Sequence, residues 1–524
     1  NRRIARLIMP KWKSFKHNGV YFPPEYQWKK FWVKIKGEKV RLDQKQEEML
    51  YAWGKKINTP YVQDPVFQKN FLADLKKILP PKYQDITMDD IDISNIIKYQ
   101  ENEKNLTKEE KKALATERKK LRDELKEKYG YVEIDGKKSE IANWMVEPPG
   151  IFMGRGQHPM RGKWKTRIYP EKVILNLSKD APIPSGKWKK IIHGNDFMWI
   201  ASWEDGLSDK MKYVWPSEGS HLRQKREKEK YDKAMSIDKK LGTIRSHIHE
   251  GMISKDEKTR QVATACYLID RLVMRVGDEK DEDEADTVGA STLRVEHVKF
   301  NPDSIEFDFL GKDSVRWEKK IRISDADAAF VKNMKEFTQN KKPSGLVFHG
   351  IDSRHVNEFF NKCLKRLTAK VFRTYHATNT LIDYLKNART QPEDGLSNLY
   401  KAKLANLEVA ITCNHKKTPP KTWEETFARK QEKLNKWLNS TPKTEKQSQK
   451  LKERIEKLKL DIELSKKTKE YNLNTSLKNY IDPRVYKAWL DKAGIDWTKL
   501  YTSSLQKKFS WIERAKVKWD EIAK

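Results

Sequence analysis

Cysteine is scarce in this chain: Cys266, Cys363 and Cys413 are the only three in 524 residues, each inside an apolar-periodic stretch. None has a CxxC or other metal-ligand spacing, which argues against a disulfide scaffold or a thiolate zinc site. They read as reduced core residues of a cytosolic or nuclear protein. Long hydrophobic runs are also missing. No segment is apolar for long enough to span a bilayer and no signal-peptide pattern opens the sequence, so a soluble intracellular protein with no membrane partner is expected. The first residue is Asn1, not Met, which suggests a fragment of a longer chain. Metal and nucleotide motifs are absent as well. There is no HExxH or Cys/His cluster. The acidic "GDEKDEDEAD" lacks the glycine and terminal glutamate of an EF-hand, and "GRGQHPMRGKWKTR" lacks Walker spacing, with Trp164 where Ser or Thr should follow Lys163. Acid is in deficit, with 75 Asp+Glu against 108 Lys+Arg and a formal charge of +33. Such a surplus points to a polyanionic partner, nucleic acid first.

The length favours two to four compact units with room for sizeable cores. Residues 1 to about 105 are rich in aromatic and basic residues without a clean repeat. "TKEEKKALATERKKLRDELKEKYG" predicts a charged helix, opened by Thr107 and Glu110 in capping-box spacing, striped by Leu114, Leu121 and Leu125, and stopped at Gly130. Short β-like runs separated by Gly/Pro turns follow to about Pro216, suggesting a small sheet-rich unit. From Ser217 to Pro419 the pattern is mainly helical with one hairpin. Between Trp423 and Thr468, two charged amphipathic segments flank "STP" and predict an antiparallel helical hairpin, with Leu451, Ile455, Leu458 and Ile462 in step. A short unit, residues 469–524, ends the chain.

Several residues carry chemical potential, and each also has an ordinary structural account. In "KTRQVATACYLIDRLVMRVG", Val262, Ala265, Ile269, Leu272 and Val276 make a helical stripe ending at Gly277, with Arg275 in the last turn. Arg275 could complement the helix dipole or clamp an anion. In "SIEFDFLGKDSVRWEKKIRI" the alternation predicts a β-hairpin with Lys312 at its tip, either solvated or held as a general acid. Arg373 falls on a helix predicted from Val371 to Leu385, where a salt bridge would be unremarkable. His415 falls at the end of a helix carrying Leu404, Leu407 and Ile411 in step, where C-capping and catalysis compete. In "NYIDPRVYKAW", Asp482 is the N-cap, Pro483 the first helical residue, and Ile481 can staple onto Tyr486. Tyr480 lies just outside that helix, placed either to pack or to attack phosphorus with cations nearby. The Gly-rich basic loop offers Arg155, Arg161, Lys163, Lys165 and Arg167 to a nucleic-acid backbone.

Taken together, "EPPGIFMGRGQHP", "VGDEKDEDEADTVG", "LRVEH", "FDFLGKDS", "LTAKVFRTY", "CNHKKTPPKT" and "NYIDPR" recur in order, and from about residue 131 onward the chain resembles the eukaryotic type IB DNA topoisomerases. The resemblance implies an α+β multidomain fold: a clamp around duplex DNA with a cap and DNA-binding core in 1–216. A mainly α, tyrosine recombinase-like catalytic lobe would follow in 217–418, an antiparallel coiled-coil linker in 419–468 and a small helical C-terminal domain in 469–524. It implies Tyr480 as nucleophile, Arg275, Arg373 and His415 as stabilisers of the transition state, and Lys312 as general acid. Arg155, Asp313 and Asn479 match residues near the cleavage point, where camptothecin-type inhibitors lodge. The implied reaction is transient single-strand cleavage through a 3′-phosphotyrosyl link, strand rotation and religation. It would relax supercoils of either sign without ATP or an obligatory metal. A nuclear monomer acting on largely nonspecific duplex sequence is the matching expectation. Two other readings share parts of this pattern: a tyrosine recombinase-like strand transferase, and a DNA-binding protein whose active site has decayed. The chain departs from the family pattern at Asn474, where Gly is usual, at Leu477 and Lys478, which stand in reversed order, and at His376, where Asn is usual.

Overall fold

The computed structural model describes residues 12–154, 156–208, 210–277, 288–311, 315–388, 390 and 394–524. Its residues group into two compact units, divided between Gln224 and Lys225. Arg155, Lys312, Asp313 and most of the acidic "GDEKDEDEAD" segment lie outside the described residues.

The first unit is built from small sheets. Trp32–Ile35 alternates exposed and buried side chains and pairs antiparallel with both Glu38–Arg41 and Ile91–Asp92. Its inward Val33 and Ile35 join Trp53, Phe67 and Phe71 in one apolar cluster. A second cluster, around Phe15, Leu175 and Trp203, lies against a four-stranded sheet ordered Lys190–Ile192, Ile174–Asn176, Ala201–Glu204 and Met211–Val214. The expected charged helix spans Lys108–Tyr129 and carries the full Thr107/Glu110 capping box. Its leucine stripe does not form a core. No residue of the helix is buried, and Leu121 is 54% exposed.

The second unit has two apolar clusters, and one helix serves both. On the helix Ala369–Asn387, Phe372 and Tyr375 pack into a core with the helix Glu257–Leu272 and the hairpin strands Ser304–Gly311 and Val315–Arg322. One turn later, Ala377, Leu381 and Leu385 enter the other cluster with the helices Gly395–Thr412 and Pro483–Lys492. Arg373 therefore sits where the two cores meet, 3% exposed.

One helix end and one helix face differ from the sequence expectation. The helix expected to run to Gly277 stops at Leu272 because Val273 turns into the left-handed region, with φ 54° and ψ 33°. Arg275 is thus in the segment beyond the helix and not in its last turn. On Gly395–Thr412 the buried face is Ala402, Ala405, Leu407 and Val409, while Ile411 is 41% exposed. The small alanines allow close packing where larger aliphatics had been expected to mark the face.

Trp423–Leu438 and Glu445–Lys467 are both helical, as their periodicity predicts. Between them, Lys430 Nζ donates to Ser465 Oγ at 2.8 Å, and of their residues only Leu458 is buried. No helix among the described residues is long and apolar enough to cross a membrane.

Candidate active site

His415 owes its position to the way its helix ends. Asn414 takes the left-handed conformation with φ 53°, a role Asn tolerates better than most residues. The Asn414 N–H then bonds Ile411 O at 3.0 Å and the His415 N–H bonds Ala410 O at 2.7 Å, the paired bonds of a Schellman ending. The imidazole is turned inward, 4% exposed.

Tyr480 stands between two short helices. It closes Leu473–Asn479, with its N–H bonded to Ser476 O at 2.9 Å, and precedes Asp482, the N-cap of Pro483–Lys492. Ile481 and Tyr486, the expected staple, are both fully buried. The last carbonyls of a helix have no partner within it, and here three side chains supply partners in succession. Lys508 Nζ donates to Lys478 O at 2.8 Å, Lys230 Nζ to Asn479 O at 2.9 Å, and Thr378 Oγ1 to Tyr480 O at 3.3 Å. Lys230 is paired with Glu227 at 2.7 Å, and burial pushes its ammonium down to about 8. The backbone beneath Tyr480 is thereby fixed from three other elements.

The departures from the family pattern fit this geometry. Asn474 is exposed in the first helical turn, its N–H bonded to the capping Asn472 side chain at 3.1 Å. Leu477 turns into the core at 6% exposure and Lys478 turns out, so the reversed order still places the aliphatic residue inside. His376 pairs with the buried Asp270 at 3.0 Å, and Asp270 also holds Arg245 at 2.8 Å.

Around Tyr480, two cationic or polar rings converge. The Arg373 guanidinium carbon lies 5.2 Å from the centre of the Tyr480 ring, and the His415 ring lies 5.2 Å from it, tilted by 32°. Arg373 spends its Nη1 on Val273 O at 2.7 Å and its Nη2 on Cys413 O at 3.2 Å. Its Nε has no hydrogen-bond partner among the described residues, and neither does His415 Nε2. Buried polar atoms are rarely left unpaired, and these two stand beside one phenol. Arg275 and Arg373 together line a cavity of about 30 Å³, roughly one water molecule in size.

The electrostatics assign His415 a neutral ring. Burial, with Arg373 and Arg275 adding to it, drives its pKa from 6.5 down to about 3. Ser476 Oγ lies 3.2 Å from Nδ1. A ring proton on Nε2, the atom without a partner, requires that hydroxyl to donate to Nδ1 in place of Leu473 O, which lies 3.4 Å from it.

The structure brings together Arg275, Arg373, His415 and Tyr480 within the second unit. Asn479 adjoins them, its side-chain amide donating to Thr475 O at 3.2 Å. Lys163, Lys165 and Arg167 belong to the first unit. Arg167 donates to Pro23 O at 2.9 Å and pairs with Glu48 at 3.2 Å, while Lys165 pairs with Glu147. Lys163 and Arg167 line a pocket of about 690 Å³ with Tyr26, Glu48, Asp74 and Trp164. Arg161 is tied to Asp64 at 2.6 Å. Sequence reasoning missed Ser476, Thr378, Lys230 and Lys508, whose roles depend on contacts distant along the chain. Among the described residues, no group of His, Cys, Asp and Glu is arranged to hold a metal ion.

Comparison with known proteins matches the chain in three consecutive segments. The DNA binding fragment of eukaryotic DNA topoisomerase I matches residues 10–216, extending the resemblance well before residue 131. The catalytic core of eukaryotic DNA topoisomerase I matches residues 219–449, and a C-terminal topoisomerase domain matches 452–521. The chain is 35% identical to DNA topoisomerase 1 of Homo sapiens over 546 residues, covering 96% of this chain and 70% of that protein. It is 36% identical to DNA topoisomerase 1 beta of Arabidopsis thaliana over 544 residues, covering 96% of this chain and 58% of that one. With matched segments running through nearly its whole length, the chain belongs to the eukaryotic DNA topoisomerase I family.

Proposed function

We propose that Tyr480 is the nucleophile of this type IB DNA topoisomerase, and that the unspent donors on Arg373 and His415 receive the phosphoryl oxygens. The Tyr480 phenolic oxygen forms a bond to a backbone phosphorus of duplex DNA while the bond from that phosphorus to the 5′ oxygen breaks. A 3′-phosphotyrosyl link and a free 5′-hydroxyl result. Arg275 and Arg373 offset the charge that accumulates on the equatorial oxygens, as preorganised donors do where water is excluded. His415 contributes as a neutral Nε2–H donor, since burial first, and then the two arginines that assist phosphate binding, disfavour a positive charge on its ring. Lys312 serves as general acid to the departing 5′ oxygen, and Arg155, Asp313 and Asn479 border the cleavage point, where a camptothecin-type inhibitor would lodge.

The exchange of one phosphodiester for another conserves bond energy, so religation needs neither ATP nor an obligatory metal. Rotation of the free end relaxes positive and negative supercoils. The surrounding architecture is a DNA-encircling clamp: a cap and DNA-binding core in 1–216, a tyrosine recombinase-like lobe in 217–418, an antiparallel coiled-coil linker in 419–468 and a C-terminal domain in 469–524. Lys163, Lys165 and Arg167 contribute to a basic surface for duplex DNA, and the chain acts as a nuclear monomer with little sequence preference. The surplus of basic residues supports phosphate-directed binding that weakens as salt rises.

The observation that carries this reading is the pair of buried, unpaired donors beside Tyr480. Its test is relaxation of a supercoiled plasmid in EDTA without ATP. The wild-type chain should relax it and Tyr480→Phe should not, and the wild-type adduct should hold the 3′ end of the cut strand. Relaxation by both proteins, or an adduct to the 5′ end, would overturn the assignment. Inactivity of both would favour a decayed, DNA-binding chain.

A further inference from the structure

We propose that Lys319 is a positioning residue for this site, locking together the ends of the two helices that lead to Arg275 and His415. The proposal rests on the reading of Arg275, Arg373, His415 and Tyr480 as the reacting centre. On the strand Val315–Arg322, alternation puts Val315, Trp317, Lys319 and Ile321 on one face, so Lys319 occupies a position in an apolar row. Lys319 is half-buried, and its ammonium is spent on backbone carbonyls where a strand lysine ordinarily extends into solvent. Nζ donates to Leu272 O at 3.0 Å and to Thr412 O at 2.6 Å, the last residues of the helices Glu257–Leu272 and Gly395–Thr412.

Arg373 repeats this arrangement one residue further along both chains. Its two donors take Val273 O and Cys413 O, the residues that follow Leu272 and Thr412. Two cations thus bridge two consecutive pairs of carbonyls. Both helices present the negative end of their dipole here, and each leaves carbonyls without intrahelical partners, so two converging ends would repel unless a cation lay between them. The backbone turns sharply at the bridged Val273 itself and at Asn414, the residue after the bridged Cys413, both of them left-handed. A β-branched residue in that conformation is strained and persists only where its surroundings hold it. Those turns direct the backbone toward Arg275 and His415, so the bridge sets where both side chains point.

The charged or titratable groups facing Lys319 are Arg373, on the helix Ala369–Asn387, and the Cys413 thiol, at the end of Gly395–Thr412; from Glu257–Leu272 it meets a backbone carbonyl. Burial, aided by Arg373, lowers its pKa to about 8, with Cys413 acting in the opposite sense. The bridge is therefore mostly charged at pH 7 and loses its charge in moderate alkali.

The test is single-turnover formation of the covalent adduct by the full chain, at saturating duplex oligonucleotide, from pH 6.5 to 9.5. It compares the wild type with Lys319→Arg, which keeps the charge throughout, and Lys319→Met, which removes charge and donors. Lys319→Met should be slower by about ten- to hundred-fold at neutral pH, the usual cost of small misplacements at a reacting centre, with DNA affinity unchanged. The wild-type rate should match the Arg variant below pH 7 and approach the Met variant above pH 9. A purely structural lysine would not produce that crossover. Superposition of the wild-type and Arg profiles across the range would overturn the proposal even if the Met variant failed to fold, as would a Met variant as fast as wild type. Tyr480→Phe runs in parallel: an adduct from that variant would refute the nucleophile and not the bridge. The bridge would then be judged by NMR of ¹³Cε-labelled lysine, where a resonance titrating near pH 8 must vanish in Lys319→Met and shift the His415 ring signals with it.

Discussion

His415 provides the sharpest check on the electrostatics of the site. In the folded chain its pKa is held at about 3 against an ordinary 6.5, by burial first and then by Arg373 and Arg275. Below pH 6.5 the unfolded chain takes up a proton that the folded chain refuses. Stability from this residue is therefore complete above about pH 6.5 and is lost as pH falls toward 3. One unit of pKa difference corresponds to about 1.4 kcal/mol, so roughly 2 kcal/mol should disappear between pH 7 and pH 5. His415→Gln isolates this share, because Gln keeps a donor and an acceptor but does not titrate. The stability gap between wild type and His415→Gln, measured by pulse proteolysis of the full chain, should narrow by about that amount over the same interval. Ring resonances assigned to His415 by their absence in the variant should stay untitrated to about pH 4. Activity should follow the same logic. A neutral donor can be replaced by an amide, so His415→Gln should retain most of the cleavage rate, whereas His415→Ala should lose about 10²- to 10³-fold, as removal of a transition-state donor does elsewhere. A His415 signal titrating near 6.5, or a Gln variant as impaired as Ala, would show that the ring acts as a cation.

Arg373→Lys keeps the charge but offers a point donor in place of a fork, so either Val273 O or Cys413 O goes unpaired. Thermal unfolding should report a loss of about 1–3 kcal/mol, the cost of one unsatisfied buried carbonyl, and adduct formation should slow by more than that loss of stability explains. Exchanging the two departures, as Leu477→Lys with Lys478→Leu, would bury an ammonium in the core that Leu477 fills. Circular dichroism should show a Tm well below wild type, and an unchanged Tm would mean that this helix can roll to suit either order.

Much of the scaffold was legible because its signals are local. Thr107 with Glu110, Asp482 with Pro483, and Ile481 with Tyr486 specify helix starts within a few residues, and all are found as the sequence predicts. Helix ends were harder to read. The apolar period through Val276 continues past Leu272, and only the turn at Val273, held by Arg373 a hundred residues away, stops the helix. The stripe of Leu114, Leu121 and Leu125 shows the opposite failure, since periodicity records which residues share a face and not whether anything covers it.

The proposed reacting groups stand within the motifs, but the reasons for their chemistry are not visible there. A sequence shows His415 as a potential cation, and in the folded protein burial first, then Arg373 and Arg275, keep its ring neutral at neutral pH. The support beneath Tyr480 is equally hidden: Lys230, Lys508 and Thr378 all bond backbone carbonyls, and a carbonyl has no letter in the sequence. Those bonds leave no complementary residue to look for, and the acid that Lys230 also meets, Glu227, gives no sign of the carbonyl it holds. The one trace such a contact leaves is a lysine on the apolar side of an alternating strand, or within a buried helix face, where its cost would otherwise be unexplained. A charged residue out of phase with its periodicity, as Lys319 is, is therefore the pattern by which carbonyl-directed positioning residues can be sought in other chains.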